Sequence, residues 1–271
     1  MIGRVSAGDH ILGSMPPDSA PATRLRVVAI DGPVASGKTV IGRAVAERLD
    51  WPMLDTGIMY RALTWAALER GVLTNAADGD PADPAALTKL AREVELRVGQ
   101  RPEGSVETAS IAVDGVDATP HLRTKAVEDA VSVVASVPGV REQMVRQQQS
   151  IAAERRQAGA GIVMVGRDIG TVVAPDARVK IYLDASEAVR AARRAAQIRE
   201  SGRSVSEDEV RSDLERRDAI DQSRVTAPLR RANGAEDINT SDDNLETAIE
   251  RVLAIVRREL GDAASAGGSG G

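Results

Sequence analysis

Short apolar runs alternate along this chain with stretches in which apolar residues recur every three or four positions. Val27, Val28, Ala29 and Ile30 form one such run, typical of a buried parallel strand, and Ile41, Ala44, Val45 and Leu49 follow at helical spacing. Trp51 to Asp55 predicts a second short strand, with a helix opening near Gly57. Gly71 to Pro84 reads as a loop and Ala85 to Val94 as an amphipathic helix. From Glu95 to Gly115 the pattern shortens to alternating pieces broken by Gly99, Gly104 and Gly115, which predicts a small antiparallel meander inserted into the main fold. A helix from Leu122 to about Val134 is followed by the break Pro138-Gly139 and a second helix to about Gln157. Ile162 to Val165 is another buried run, and Arg178 to Asp184 alternates Val179, Ile181 and Leu183. Ser186 is placed to cap a helix. Asp237 to Asn239 predicts an edge strand, and Leu245, Ile249, Val252, Leu253, Val256 and Leu260 mark a closing amphipathic helix. Strand and helix in alternation predict an α/β fold with a mostly parallel sheet.

The first strand runs directly into Gly32-Pro33-Val34-Ala35-Ser36-Gly37-Lys38-Thr39, which satisfies G-x-x-x-x-G-K-[ST] at every fixed position. In such a loop the glycines let backbone amides turn inward on a polyphosphate, Lys38 reaches the β- and γ-phosphates, and Thr39 offers a hydroxyl to Mg²⁺. Strand, glycine loop and helix arrive in the required order. Further along, Thr56, Tyr60 and Arg61 fall near a helix start, where an Arg in the first turn opposes the helix dipole and so implies a shared anion. Arg167 and Asp168 follow the buried run that ends at Val165-Gly166, at the strand end where parallel sheets hold ligands. Ser132 and Arg141 flank the Pro138-Gly139 break, and Arg217, Asp221 and Arg224 recur along one helical face, a stripe able to close over phosphates.

Composition narrows the chemistry. With 271 residues and 42% hydrophobic content the chain can bury an ordinary core, and a formal charge of −5 gives no broad footprint for a nucleic-acid polymer. There is no cysteine, hence no disulfide, no thiolate metal site and no cysteine nucleophile. No apolar run approaches membrane-spanning length and no signal peptide is evident, so a cytoplasmic monomer without membrane partners is expected. Residues 1–23 and 261–271 read as a flexible arm and a Gly/Ser tail. Phe is absent, which leaves Trp51, Trp65, Tyr60 and Tyr182 as the aromatics and makes Tyr60 the ring of interest for a base pocket. His10 and His121 are the only histidines and neither lies in a candidate site, so a histidine base is not expected. Arginines suit phosphoryl transfer, which is mostly positioning and charge neutralisation. A phosphate acceptor, with its second pKa near 6, is already anionic at neutral pH and needs no general base.

Several separated pieces resemble the bacterial cytidylate kinases among the P-loop nucleoside monophosphate kinases. They are Ile30-Asp-Gly-Pro with the glycine loop, Leu54-Asp-Thr-Gly-Ile-Met-Tyr-Arg, Val131-Ser, Val137-Pro-Gly-Val-Arg, Gly166-Arg-Asp-Ile-Gly-Thr-Val-Val, Pro175-Asp-Ala, Lys180-Ile-Tyr-Leu, and Arg217-Asp with Asp221, Arg224 and Ala227-Pro-Leu. The resemblance spans about residues 24–260 and implies a three-layer P-loop NTPase-type fold, with a CMP-binding insertion at about 84–118 and a helical lid at about 201–225. It implies ATP and Mg²⁺ as the donor pair and CMP or dCMP as acceptor. Lys38, Arg167, Arg217 and Arg224 would be catalytic, and Thr56, Arg61, Arg167, Arg217 and Arg224 would hold the acceptor phosphate and the transferring group. Ser132, Arg141 and Asp168 would approach the cytosine, and Asp221 the sugar. A kinase for UMP or another small acceptor keeps the same chemistry, and a nucleotide-binding module without activity stands as a further alternative. The latter draws on Val165, which occupies a place where many family members carry an acidic residue. Without a carboxylate there, Asp168, or Thr39 with ordered water, is expected to support the metal, with weakened metal affinity.

Overall fold

A computed structural model of the protein describes residues 26–73, 83–100, 109–200 and 202–261. The arm at 1–23, Gly104, most of the loop between Gly71 and Pro84, the first residue of the expected lid and the tail beyond Gly261 lie outside the described residues. The strands are β1 (Val27–Asp31), β2 (Met53–Asp55), β3 (Leu96–Gln100), β4 (Ala109–Val113), β5 (Val116–Asp117), β6 (Ile162–Gly166), β7 (Val179–Asp184) and β8 (Glu236–Asn239). The helices are α1 (Lys38–Leu49), α2 (Thr56–Glu69), α3 (Pro84–Glu93), α4 (Lys125–Ser136), α5 (Pro138–Gln157), α6 (Glu187–Glu200), α7 (Glu207–Ser223) and α8 (Leu245–Leu260).

Five strands form an all-parallel sheet in the order β2-β6-β1-β7-β8. Every residue of β1 is buried, because helices cover both faces of the sheet and the strand has no polar side to show. One face packs Val27, Ala29, Ile162 and Met164 against α2, α4 and α5; the other packs Val28, Ile30, Val163 and Val165 against α1 and α8. A second, antiparallel sheet, β3-β4-β5, lies beside α2, with Ile111 and Val113 turned into the first core. The chain therefore has the α/β architecture with a parallel sheet read from its periodicity, in the three layers that the family resemblance implies, and no helix among the described residues is long and apolar enough to cross a membrane.

Three local expectations shift. The helix expected near Gly57 begins at Thr56, capped by the Asp55 side chain on the Gly57 amide at 2.9 Å, so Arg61 stands in the second turn and the dipole argument for it lapses. The helix expected from Leu122 starts at Lys125, after a 3₁₀ turn at Thr119–His121 that contains Pro120. Helix α7 ends at Ser223, and Arg224 (φ −54°, ψ 137°) has left it, so the Arg217–Asp221–Arg224 stripe bends away from the helix axis at its last member.

Register brings the chemistry to one edge. Asp31 stands level with Gly166 and Tyr182, and Asp55 level with Val165, so the C-terminal ends of β1, β2, β6 and β7 open on a common rim. Helix α1 comes close to the sheet beneath that rim, because a Cβ on Gly42 would fall 2.6 Å from Val165 Cγ1 and 3.2 Å from Met53 Sδ. Helix propensity alone favours alanine over glycine by about 1 kcal/mol. Overpacking costs about 1–3 kcal/mol and outweighs it. Gly42→Ala is therefore expected to lower the melting temperature, and Val165→Ala in the same chain to recover part of the loss; a Gly42→Ala protein that melts higher than the parent would refute this packing.

Candidate active site

The glycine loop lies at the C-terminal end of β1, and its backbone is unusual for physical reasons. Gly32 has φ 153°, and a Cβ there would come within 1.9 Å of the Leu183 carbonyl; Gly37 has φ 95° and caps α1. Between them Ala35 adopts φ 60°, a left-handed conformation that costs a non-glycine residue about 1 kcal/mol. The loop's carbonyls are held from different directions: Gly32 O accepts from Arg167 Nη1 at 2.5 Å, Pro33 O from Lys38 Nζ at 2.5 Å, and Ser36 O from Thr240 Oγ1 at 3.4 Å. Burial, and then Arg167, hold the Lys38 ammonium well below its ordinary pKa.

Beside the loop, Thr39 Oγ1 donates to Asp55 Oδ2 at 2.8 Å. Asp55 is the carboxylate that the sequence reading overlooked; its signal was an acidic residue ending the strand just before Thr56-Gly57. Val165, its register partner, lines the cleft and packs into the core on the α1 side. Asp168, expected as a metal support, is instead buried in an ion pair with Arg141. The glycine-loop end of the cleft therefore has a carboxylate beside Thr39 although Val165 is apolar.

From this loop a cleft of about 920 Å³ runs toward α2, α4 and α7. Among the described residues that line it, ten arginines and lysines face five carboxylates, although the chain as a whole is net negative. Of the expected residues, the structure brings Val34, Ala35, Gly37, Lys38, Thr39, Thr56, Tyr60, Arg61, Ser132, Arg141, Arg167, Asp168, Arg217, Asp221 and Arg224 to this one cleft. Gly32, Pro33 and Ser36 complete the glycine loop at its edge; Ser36 is fully buried.

Each charged group is held by identifiable partners. Arg167 Nε pairs with Asp221 Oδ2 at 2.8 Å, and Asp221 Oδ1 receives Arg224 Nη1 at 3.0 Å. Arg224 also donates to Ala227 O at 2.9 Å. Arg141 donates to Ala135 O at 3.1 Å, and its guanidinium lies 5.3 Å from the Tyr60 ring centroid, so Tyr60 stacks against a cation within the protein. Against a large desolvation penalty, Asp168 and Tyr60 raise the pKa of Arg141. Thr56 Oγ1 donates to Val165 O at 3.0 Å, tying α2 to β6. Arg61 donates to Leu122 O at 2.9 Å and lies 3.7 Å from Glu128. Burial, and then Arg217, push Arg61 down to about 10. Arg217 and Arg224 are likewise lowered, first by burial and then by Arg167 and Arg141 respectively.

Glu128 was not singled out from the sequence. It is buried on α4, where it accepts from Arg194 Nη2 at 2.5 Å and Arg203 Nη2 at 2.7 Å besides facing Arg61. Nothing local marks it, since its partners lie on α2, on α6 and beyond α6. At the far side of the glycine loop, Arg193 donates to Thr240 Oγ1 at 3.0 Å and to Thr240 O at 2.7 Å, and Asp243 and Asn244 extend the cleft there. Among the described residues, five arginines that line the cleft, Arg43, Arg141, Arg194, Arg217 and Arg224, keep a buried Nε without a hydrogen-bond partner. Unpaired buried donors of this kind fit a polyanionic ligand with several acceptor oxygens.

A glycine loop between a buried strand and a helix, facing a guanidinium-lined cleft, defines a P-loop phosphoryl-transfer fold. A sequence model described as cytidylate kinase matches residues 28–258. The chain is 42% identical over 234 residues to a cytidylate kinase of Geobacillus kaustophilus, covering 86% of this chain and 97% of that protein. It is 41% identical over 240 residues to one of Rhodococcus jostii, covering 89% and 98%, and 41% identical over 233 residues to one of Streptomyces avermitilis, covering 86% and 93%. The chain belongs to the cytidylate kinase family.

One buried carboxyl links the two halves of the rim. Asp31, at the end of β1, accepts from the amides of Ile169 at 2.8 Å and Gly170 at 2.7 Å, and so fixes the turn that follows Arg167 and Asp168. Burial raises its pKa from 3.8 to about 6; the Gly170 and Ile169 amides pull it back, Asp168 adds to the rise and Lys38 opposes it. Between those two values the folded chain keeps a proton that the unfolded chain has released, so stability is lost as pH climbs through the window. The stability of the parent relative to Asp31→Asn is therefore expected to fall from about pH 4 to about pH 6 and to level off above. Urea unfolding across this range checks it, and a difference that is flat with pH would contradict the raised pKa.

Proposed function

We propose that the protein transfers the γ-phosphoryl group of ATP to CMP or dCMP, giving CDP or dCDP and ADP. The observation that carries this reading is the set of buried arginines with unpartnered Nε groups at the end of a glycine loop, in a chain of the cytidylate kinase family. The donor's phosphates would lie against the loop amides from Ala35 to Thr39, with Lys38 leaving Pro33 O for them. Thr39 and Asp55, already hydrogen-bonded to each other, are a hydroxyl and a carboxylate suited to holding Mg²⁺ directly or through its waters. When bound, the ion neutralises charge on the β- and γ-oxygens. Arg193, Thr240 and Asn244 stand at the loop's outer side, where the cleft has room for the donor's nucleoside.

Arg61, Arg167, Arg217 and Arg224, with Thr56, would hold the acceptor phosphate and the transferring group. They lie around the inner end of the cleft, and three of them meet Asp221 or Glu128. The acceptor phosphate is the nucleophile and is anionic near neutral pH, so positioning suffices and no side chain need take a proton. Arg141, Asp168 and Ser132 would read the base, and Asp221 the sugar. A carboxylate accepts from the exocyclic amine of cytosine but repels the carbonyl oxygen at the same place in uracil. Asp55 beside Thr39 removes the argument from Val165 for a module without activity.

ADP release from ATP and Mg²⁺ against CMP, dCMP, UMP, AMP and shikimate tests the reading, with CMP and dCMP expected as the productive acceptors; turnover with none of them would overturn it. Arg61→Gln is expected to lower kcat/KM for CMP by about 10²–10³-fold, the usual cost of removing one preorganised donor to a charged group. Asp55→Asn is expected to raise the Mg²⁺ concentration for half-maximal rate by about tenfold or more, and an unchanged Mg²⁺ dependence would remove Asp55 from the metal's support.

A further inference from the structure

Val34, in the middle of the glycine loop, is gripped by α6 and α7 on every side that a residue offers. Its N–H donates to Asp218 Oδ1 on α7 at 3.3 Å, and its carbonyl accepts from Arg190 Nη1 on α6 at 3.2 Å. Arg190 and Asp218 are ion-paired with each other, closing the triangle. The Val34 side chain, 9% exposed, packs with Ala191, Ala195, Val210 and Leu214 in a small apolar cluster apart from the two main cores. The tip of the phosphate loop thus belongs to the core of the α6–α7 hairpin.

The peptide group joining Pro33 to Val34 has a partner at each end. Its carbonyl accepts from Lys38 Nζ, and its N–H donates to Asp218. Lys38 Nζ has three donors, two of them directed at Pro33 O at 2.5 Å and Ser36 Oγ at 3.3 Å, so a phosphate chain that engages it competes with these two acceptors. A donor that draws Lys38 away therefore acts on the very peptide plane that Asp218 holds. Asp218 follows Arg217, and successive residues on a helix point about 100° apart. Arg217 is accordingly turned to the other side of α7, toward Arg61 and Arg167 in the cleft.

We propose that Asp218 and Arg190 are positioning residues that couple the donor-phosphate loop to Arg217, so that a phosphate chain filling the loop sets the place of the arginine the acceptor requires. The role of Arg217 toward the acceptor rests on the functional reading above; the coupling of the loop to α7 does not. No hinge separates Val34 from α7, because backbone donor, backbone acceptor and side chain are all engaged. Movement of the loop is passed directly to the helix.

Hydrogen exchange with ADP and Mg²⁺ as the probe reads the coupling without any acceptor. In the parent protein ADP is expected to slow exchange of α7 amides by several-fold, reflecting local opening made costlier by the ligand. In Asp218→Asn, ADP still binds by calorimetry but the α7 response is lost. With CMP as acceptor, kcat for this variant is expected to fall by about tenfold, with KM for ATP changed by less than about threefold, as for a group that positions another in the transition state. Arg190→Gln should match it, and the double variant should be no worse than either single one, since both break one triangle. Should Asp218→Asn fail to fold, Arg190→Lys, which keeps the charge but ends one bond short of the Nη1 that serves both Val34 O and Asp218, reads the same coupling and is expected to lose most of the α7 response. ADP-dependent protection of α7 that survives in folded Asp218→Asn or in Arg190→Lys overturns the proposal, as does a parent protein that binds ADP with no change in α7. A parent that shows the α7 response but phosphorylates neither CMP nor dCMP overturns the functional reading and leaves the coupling standing.

Discussion

A cleft that takes guanidinium groups out of water must keep them apart and paired, and the rest of this structure is arranged around that constraint. An unpaired buried charge costs several kcal/mol, so each arginine needs an internal anion. Asp221 answers Arg167 and Arg224, Asp168 answers Arg141, and Glu128 answers Arg194 and Arg203 while facing Arg61. These carboxylates come from α7, from the turn after β6 and from α4. Charge pairing thereby fastens the helices over the sheet to one another. The same pairs that stabilise the buried guanidiniums also fix the geometry of the cleft, which is why the arginines stand at separate places and do not splay into solvent.

The glycine loop is set by a different kind of constraint, steric and backbone-based, and the two meet at Arg167. Its guanidinium holds Gly32 O on one side and Asp221 on the other, joining the start of the loop to α7. Asp31 does the corresponding task from below by holding the turn after Asp168 through two amides. Loop, turn and helix are therefore one connected polar framework, in which the apolar core supplies position and the hydrogen bonds supply orientation.

Much of this was legible in the chain because it is local. A strand buried on both faces can be written only as a run such as Val27 to Ile30, and the glycine loop carries its geometry within eight positions. Arg167 and Asp168 could be read because the strand before them ends where ligands sit. What escaped depends on partners distant in sequence. Glu128 acquires meaning only when Arg61, Arg194 and Arg203 fold onto it, and Asp218 only when Val34 reaches it across the fold. Asp55 is legible as a strand's last residue, but its place beside Thr39 emerges only when β2 pairs with β6 and sets it level with Val165. Arg224 was assigned to a regular helix face, whereas the chain turns out of the helix there and still buries the side chain against Asp221.

The pattern of satisfied and unsatisfied nitrogens is one that a phosphate would complete better than another carboxylate. In their protein contacts Arg141, Arg194 and Arg224 use their terminal Nη groups, as Arg217 does toward Asp213, and all four leave Nε unpaired. A guanidinium presents its bidentate edges in a fixed plane, so an internal carboxylate that occupies the terminal nitrogens leaves the Nε edge incompletely used. Further carboxylates would bring two oxygens each and more side chain to bury. A phosphoryl group brings three oxygens on one compact centre and can answer several guanidinium edges at once. Burial, and after it the neighbouring Arg217, lowers Arg61 to about 10, so a dianion placed there would answer both the lost hydration and the repulsion.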